Sequence, residues 1–299
     1  MELIDIPPFV YPESSQKIYL HNFTDLHMGA VGCDKAQLKR DIKRLREDRE
    51  RGEQHYWFLG GDAINAIGPK DKRHDAMAVS SEFKEYEGDD LFRQQVLAVE
   101  ELFRPIREWG LFIGAGNHES TVSAHGEYNP ARDLAHRLNL PYAGYSAGFR
   151  IVLAPQNTTG RSTVTCYWHH GFGASRTKGG KINMGMSLLS IINVDLYFTG
   201  HVHEPIIAPE EELNLPRKKT LRLIARDKLI VVGSSYLKTY PTTGKAQKGG
   251  SFHANHRVQY DYGERKGYRP AVIGHVGATL RMKRGQSENS VEIRAADFR

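Results

Sequence analysis

The sequence is poor in the features that mark secreted, disulfide-built or membrane-spanning chains. Its 299 residues include two cysteines, Cys33 and Cys166, too few for a disulfide framework. Two thiols fit a reducing compartment, so a cytoplasmic location is expected. No apolar run approaches the roughly 18 residues of a spanning helix, and mean hydropathy is −0.52, so no membrane partner is expected. The opening stretch, MELIDIPPFVYPESSQK, lacks a basic segment followed by an apolar one, and no secretory signal is expected. Repeats and low-complexity linkers are also missing, which favours one domain over residues 1–299.

What is present is an uneven charge. Residues 1–160 carry 19 Lys and Arg against 24 Asp and Glu, while residues 161–299 carry 22 against 11. The basic C-terminal half points to an anionic partner such as nucleic acid, nucleotide or anionic lipid, or else to a solvated basic surface.

Apolar runs and charged amphipathic stretches alternate through the first two thirds. Ile18 to Thr24, Tyr56 to Leu59, Leu111 to Ile113, Val164 to Trp168 and Leu196 to Phe198 have the length and apolar content of buried strands. Asp34 to Arg51, Asp89 to Trp109 and Ile182 to Ile192 have helical spacing. The alternation predicts an α/β layered fold. After residue 205 only short strands are expected, at 221–224, 229–232, 271–276 and 291–293, with long loops at 66–88 and 239–269.

The polar residues that follow these strands carry the chemistry: Asp25-Leu-His27, Gly61-Asp62, Gly116-Asn117-His118-Glu119, His169-His170-Gly171 and Gly200-His201-Val-His203. Glycine beside each group, or within a few residues of it, lets the chain turn and project side chains from the strand ends, where open α/β sheets bind ligands. Each piece is commonplace alone; five in this order are not. Glu119 aside, they supply two carboxylates, an amide oxygen and several imidazoles, with no thiolate, a set suited to divalent Mn, Fe, Zn, Ni or Co.

These motifs resemble those of the calcineurin-like metallophosphoesterases over residues 17–205. The resemblance implies a four-layer α/β/β/α sandwich with a dinuclear metal site at the strand ends, two divalent ions (Mn favoured), and phosphate-ester hydrolysis by a metal-bridging hydroxide. Carried over by motif position, Asp25, His27 and His203 would hold one metal, and Asn117, His169 and His201 the other. Asp62 would lie between them. At the His169-His170 pair the resemblance favours His169, because the family's ligand commonly precedes x-Gly. His118 would donate a proton to the leaving group or stabilise it.

Two departures bear on the substrate. Asn65 stands where many members have an Asp that orients the catalytic histidine, and the Asp-Arg and Arg-Gly-Asn-His runs of the Ser/Thr phosphoprotein phosphatases are absent. The pattern looks more like the nuclease and phosphodiesterase branch, the Mre11/SbcD-type nucleases included, without an identifiable capping domain. A nucleic acid or nucleotide substrate is therefore expected, the alternatives being a phosphomonoesterase or cyclic-nucleotide phosphodiesterase on a small substrate, and a non-catalytic metal-binding interaction protein, against which every metal position being filled argues. Arg176, Lys178 and Lys181, in a Gly-rich stretch entering a helix, are expected to clamp phosphate. Residues 239–269 interleave Tyr240, Phe252, Tyr260, Tyr262 and Tyr268 with Lys245, Lys248, Arg257, Arg265, Lys266 and Arg269. That mixture suits single-stranded nucleic acid as well as plain packing. His253 and His256 read as surface.

Overall fold

A strand buried on both faces sends alternate side chains into two different cores, and this parity organises the whole chain. In the computed structural model, β3 (Lys17–Phe23), β4 (Gln54–Gly60) and β5 (Gly110–Gly114) run parallel and adjacent. β11 (Val276–Lys283) and β12 (Ser290–Asp297) complete their sheet in the order β12-β11-β3-β4-β5. The second sheet is ordered β1-β6-β7-β8-β10-β9. Its strands are β1 (Glu2–Ile4), β6 (Ser146–Pro155), β7 (Ser162–His169), β8 (Leu196–Thr199), β10 (Ile224–Val232) and β9 (Ile206–Asn214), with β2 (Phe9–Tyr11) also paired to β6. The structure describes residues 1–68, 71, 73–75, 78–126, 128–215, 223–240, 267–270, 272–283 and 290–298.

Three apolar clusters separate four layers. Ile18, Leu20, Phe58 and Phe112 of one sheet meet Val164, Cys166, Trp168, Phe198 and Val231 of the other in the central core. From the same strands, Phe23, Trp57, Leu59 and Ile113 point the other way, onto α1 (Lys35–Glu50), α2 (Gly88–Phe103) and α4 (Pro130–Leu138). Tyr167, Tyr197, Ile230 and Val232 face outward onto α5 (Lys178–Ser187). The α/β layering expected from the sequence is the layering found. Helix α1 shows how the local code works: Leu38, Asp41, Ile42 and Leu45 form its buried stripe, and the Asp34 carboxylate caps it by accepting from the Gln37 amide at 3.0 Å.

Several elements depart from expectation. The strand placed at 271–276 begins instead at Val276, because Gly274 turns the chain with φ +126° and Ile273 makes only an isolated bridge to Ser235. Strands β1, β2, β6 and β9 were not expected, nor were α4 and α3 (Asn117–His125), the helix that starts on the Asn117 motif. Of loop 239–269, only residues 239–240 and 267–269 are among those described; there the Tyr240 hydroxyl donates to the Tyr268 carbonyl at 2.8 Å. Phe252, Tyr260, Tyr262, Lys245, Lys248, Arg257, Arg265, Lys266, His253 and His256 lie outside the described residues. No described helix is long and apolar enough to cross a membrane.

Behind the sheet, His21, His55 and His275 form a buried row. His21 Nδ1 lies 2.7 Å from His275 Nε2, and His21 Nε2 lies 2.8 Å from His55 Nδ1. Tyr236 donates to Asp41 at 2.6 Å and meets His275 at 2.9 Å. Burial, then the neighbouring imidazoles, push the His21 pKa well below its ordinary value. Below about pH 6.5 the unfolded chain therefore binds a proton that the fold refuses, and stability falls with pH by about 1.4 kcal/mol per unit for such a group. Thermal melts of wild type and His21→Gln between pH 7.5 and 5.5 test this. The variant should lose less stability on acidification, and parallel curves would assign the dependence elsewhere.

Candidate metal centre

The carboxyl ends of β3, β4, β5, β7 and β8 converge on one place. Past those ends, the β3 and β4 chains stay zipped by backbone bonds: Asp25, His27 and Met28 amides donate to Gly61, Asp62 and Ala63 carbonyls, each at 3.0 Å. On the other sheet the Gly200 amide donates to the His170 carbonyl at 2.8 Å, tying the β7 and β8 ends together. Asp25, His27, Asp62, His201 and His203 all have left-handed backbone, φ between +49° and +69°. Ala66 and Asn139 are the other non-glycine residues of this kind among those described, and Asn139 simply ends α4. Left-handed side-chain-bearing residues cost roughly 1–3 kcal/mol each and gather at functional sites.

The side chains form linked groups whose donor atoms lie within 4.8 Å of one another: Asp25, His27 and His203; His27, Asp62 and His118; Asp62, His170 and His201. His203 Nε2 is 3.1 Å from Asp25 Oδ1 and 3.1 Å from His27 Nε2. Asn117 Oδ1 lies 2.9 Å from His201 Nδ1 and 3.3 Å from His170 Nε2. Asp62 Oδ2 lies 3.3 Å from His170 Nε2 and 3.9 Å from His118 Nε2. Asp62 and His27 belong to two groups each, so they link the whole.

At the β7 end, His170 and not the expected His169 lies beside the other donors. His170 is fully buried against Asp62, whereas His169 stands apart, accepting at Nδ1 from the Gly171 amide. Strand parity is the reason. Val164, Cys166 and Trp168 face the central core, Tyr167 and His169 face outward, and His170 returns to the inner side where the strand ends meet. The same alternation is legible in the sequence.

Two residues hold the loops in register. Glu119, buried at the start of α3, accepts from the Asp62 amide at 3.0 Å, the Gly116 amide at 2.8 Å and the Ile64 amide at 3.1 Å. Gly116 must be glycine, since a Cβ there would sit 2.0 Å from Asp62 Oδ1. The sequence reading assigned no role to Glu119. A carboxylate three residues after a strand-end glycine, at a helix start, is the signal it carried.

The electrostatics favour added positive charge. Burial works to raise the Asp25 carboxyl, but His203 and then His170 outweigh it and hold Asp25 at about 2. Burial works to lower His170, but the Asp62 carboxylate, Asp25 and the Gly60 carbonyl raise it to about 10. Lone pairs also outnumber protons. The His201 Nε2 proton goes to the Gly173 carbonyl at 2.7 Å, which leaves its Nδ1 lone pair facing the Asn117 carbonyl oxygen. His27 and His203 nitrogens face each other, and the buried His27 Nδ1 finds no partner among the described residues. Carboxylate, amide oxygen and imidazole with unshared pairs aimed inward are donors fitted to divalent ions of hard or borderline character.

No protein-family model matches this chain, and no curated protein does. Among the solved structures similar to it are three at low identity. A conserved uncharacterized protein of Streptococcus pneumoniae TIGR4, a predicted phosphoesterase, aligns with 93% of this chain and 98% of its own at 11% identity and TM-score 0.31. The NAD nucleotidase of Haemophilus influenzae aligns with 93% of this chain at 10% identity and TM-score 0.40, and the match covers 49% of that longer protein. Vacuolar protein sorting 29 of Cryptosporidium parvum aligns with 94% of this chain and 100% of its own at 12% identity and TM-score 0.32.

The remaining expected residues are differently placed. His118 donates from Nδ1 to the Asn65 backbone carbonyl, so a main-chain oxygen orients it and the Asn65 side chain is not needed for this. Its Nε2 faces Arg73 Nη1 at 3.2 Å, a contact the sequence did not suggest. The expected clamp is largely occupied: Lys181 and Lys178 pair with Glu204 at 2.9 and 3.3 Å, and Arg176 is exposed. Glu204, next to His203, is therefore shared by two of the three cations.

Proposed function

We propose that this chain is a metal-dependent phosphoric ester hydrolase, with Asp25, His27 and His203 holding one divalent ion and Asn117, His170 and His201 a second. Asp62 is shared between them. The observation that carries this reading is the convergence of two buried carboxylates, the Asn117 amide oxygen and four imidazoles from five strand ends, with inward lone pairs in excess of protons. The chemistry such ions supply is Lewis-acid polarisation of phosphoryl oxygens and a lowered pKa for water.

The chain's own residues supply orientation. The Gly60 carbonyl fixes the His170 ring through Nδ1, and the Gly173 carbonyl fixes His201 through Nε2, which aims the opposite nitrogens inward. Glu119 fixes the height of Asp62. His118, anchored through Nδ1, presents Nε2 at the rim, where its protonated form would serve the leaving oxygen as proton donor or electrostatic partner. Phosphodiesters, nucleic acid or nucleotides are the favoured substrates, supported by the basic balance of residues 161–299.

Turnover should vanish in excess EDTA and return on adding Mn or Co after the chelator is removed; full activity in chelator contradicts the reading. A panel of bis-p-nitrophenyl phosphate, p-nitrophenyl phosphate, cyclic nucleotides and single- and double-stranded DNA and RNA separates diesterase from monoesterase action.

A further inference from the structure

We propose that Arg73 is the substrate-binding cation of this centre, receiving the non-bridging phosphate oxygens on the His118 side. The inference rests on the phosphoesterase reading above and names the residue that recognises the anion.

Geometry singles out Arg73. Described residues of the loop expected at 66–88 are tied to the chain that follows β3. The Val31 amide donates to Ala78, and the Ser80 amide donates to Gly29, at 2.9 and 2.8 Å. Within it, Asp71 closes a tight turn, with its own amide donating to Gly68 and the His74 amide donating back to its carbonyl, both at 2.9 Å. Its carboxylate then grips the guanidinium edge of Arg73: Nε donates to Oδ1 at 3.0 Å and Nη2 to Oδ2 at 2.7 Å. That two-point grip fixes the plane of the fork and directs Nη1 toward His118 Nε2.

The other cations offered by the sequence do not compete. Lys178 and Lys181 are committed to Glu204, and Arg176 is exposed. Arg73 instead reaches the imidazole that itself lies 3.9 Å from Asp62, the carboxylate common to two of the site's groups. A guanidinium has only donors, and so does His118 Nδ1 toward the Asn65 carbonyl. In this structure His118 Nε2 is therefore the acceptor of the Arg73 N–H, a place a phosphate oxygen can take over. A planar fork held by a carboxylate suits phosphate better than a lysine point charge does. The side chain is partly open, 28% exposed, so an incoming anion can meet it.

The test is calorimetric titration of inorganic phosphate into Mn-loaded wild type, Arg73→Ala and Arg73→Lys, with metal content measured on the same samples. Arg73→Ala should keep its metal and bind phosphate about tenfold or more weakly. Arg73→Lys should recover part of the loss. In turnover of bis-p-nitrophenyl phosphate, the loss should fall mainly on KM. Wild-type phosphate affinity in Arg73→Ala overturns the proposal, and so does loss of metal from that variant, which would make Arg73 structural. If wild type itself takes up no metal, the phosphoesterase reading fails separately. The same titration on the metal-free protein then decides whether phosphate binding still depends on Arg73.

Discussion

Asp62→Asn is expected to lower turnover about a thousandfold while leaving the chain folded. The residue is shared by two of the site's donor groups, and its loss removes a buried anion in contact with His170 and His118. Several kcal/mol of transition-state charge stabilisation depend on a filled centre, and each 1.36 kcal/mol is tenfold in rate. Bound metal should fall to one ion per chain or fewer. Asparagine keeps the shape and the Oδ1 acceptor for the His118 amide, now at 2.9 Å, so the far-ultraviolet spectrum should match wild type. Retention of two ions with near-normal rates would mean that Asp62 lies outside the working centre.

Glu119→Ala should damage both stability and the site. It removes the acceptor of three backbone amides, from Asp62, Gly116 and Ile64, in a region closed to water. A buried donor left without a partner costs about 1–3 kcal/mol, so three cost roughly 3–9 kcal/mol, a large share of the stability of a typical domain. The loops bearing Asp62 and Asn117 also lose their common tether, and metal affinity should weaken by about 10–100-fold, as it does when residues supporting a metal ligand are removed. Denaturant melts in the presence of EDTA measure the first effect without the second, and metal titration measures the second. Glu119→Gln retains one acceptor oxygen and should fall between. Wild-type melts for the alanine variant would show that water satisfies those amides.

How much of this was legible in advance depends on sequence separation. Strands β3, β4, β5, β7 and β8 were readable because each is a short, mostly apolar run, and all but β3 end at or within two residues of glycine, a local pattern. Strands β6 and β9 were not: Arg150 interrupts the first, and Pro209 with Glu210, Glu211 and Glu212 masks the second. An edge strand such as β9 needs one buried face at most, so its sequence carries a weaker signal. The strand expected at 271–276 failed because an apolar run does not reveal where Gly274 turns the chain.

The same divide runs through the site. Amino-acid order alone determined which residues stand at the strand ends and what donors they offer; the parity of Val164, Cys166 and Trp168 also points to His170 as the inward histidine, although the motif resemblance favours His169. These follow from two-residue periodicity and from glycine's freedom to turn, both properties of neighbours in the chain. Only the folded arrangement decided that Glu204 takes up Lys178 and Lys181, that Glu119 tethers two loops, and that Arg73 arrives at His118 from 45 residues away. Charges and hydrogen-bond donors choose partners by distance in space, and once a chain is packed that distance no longer follows position along it.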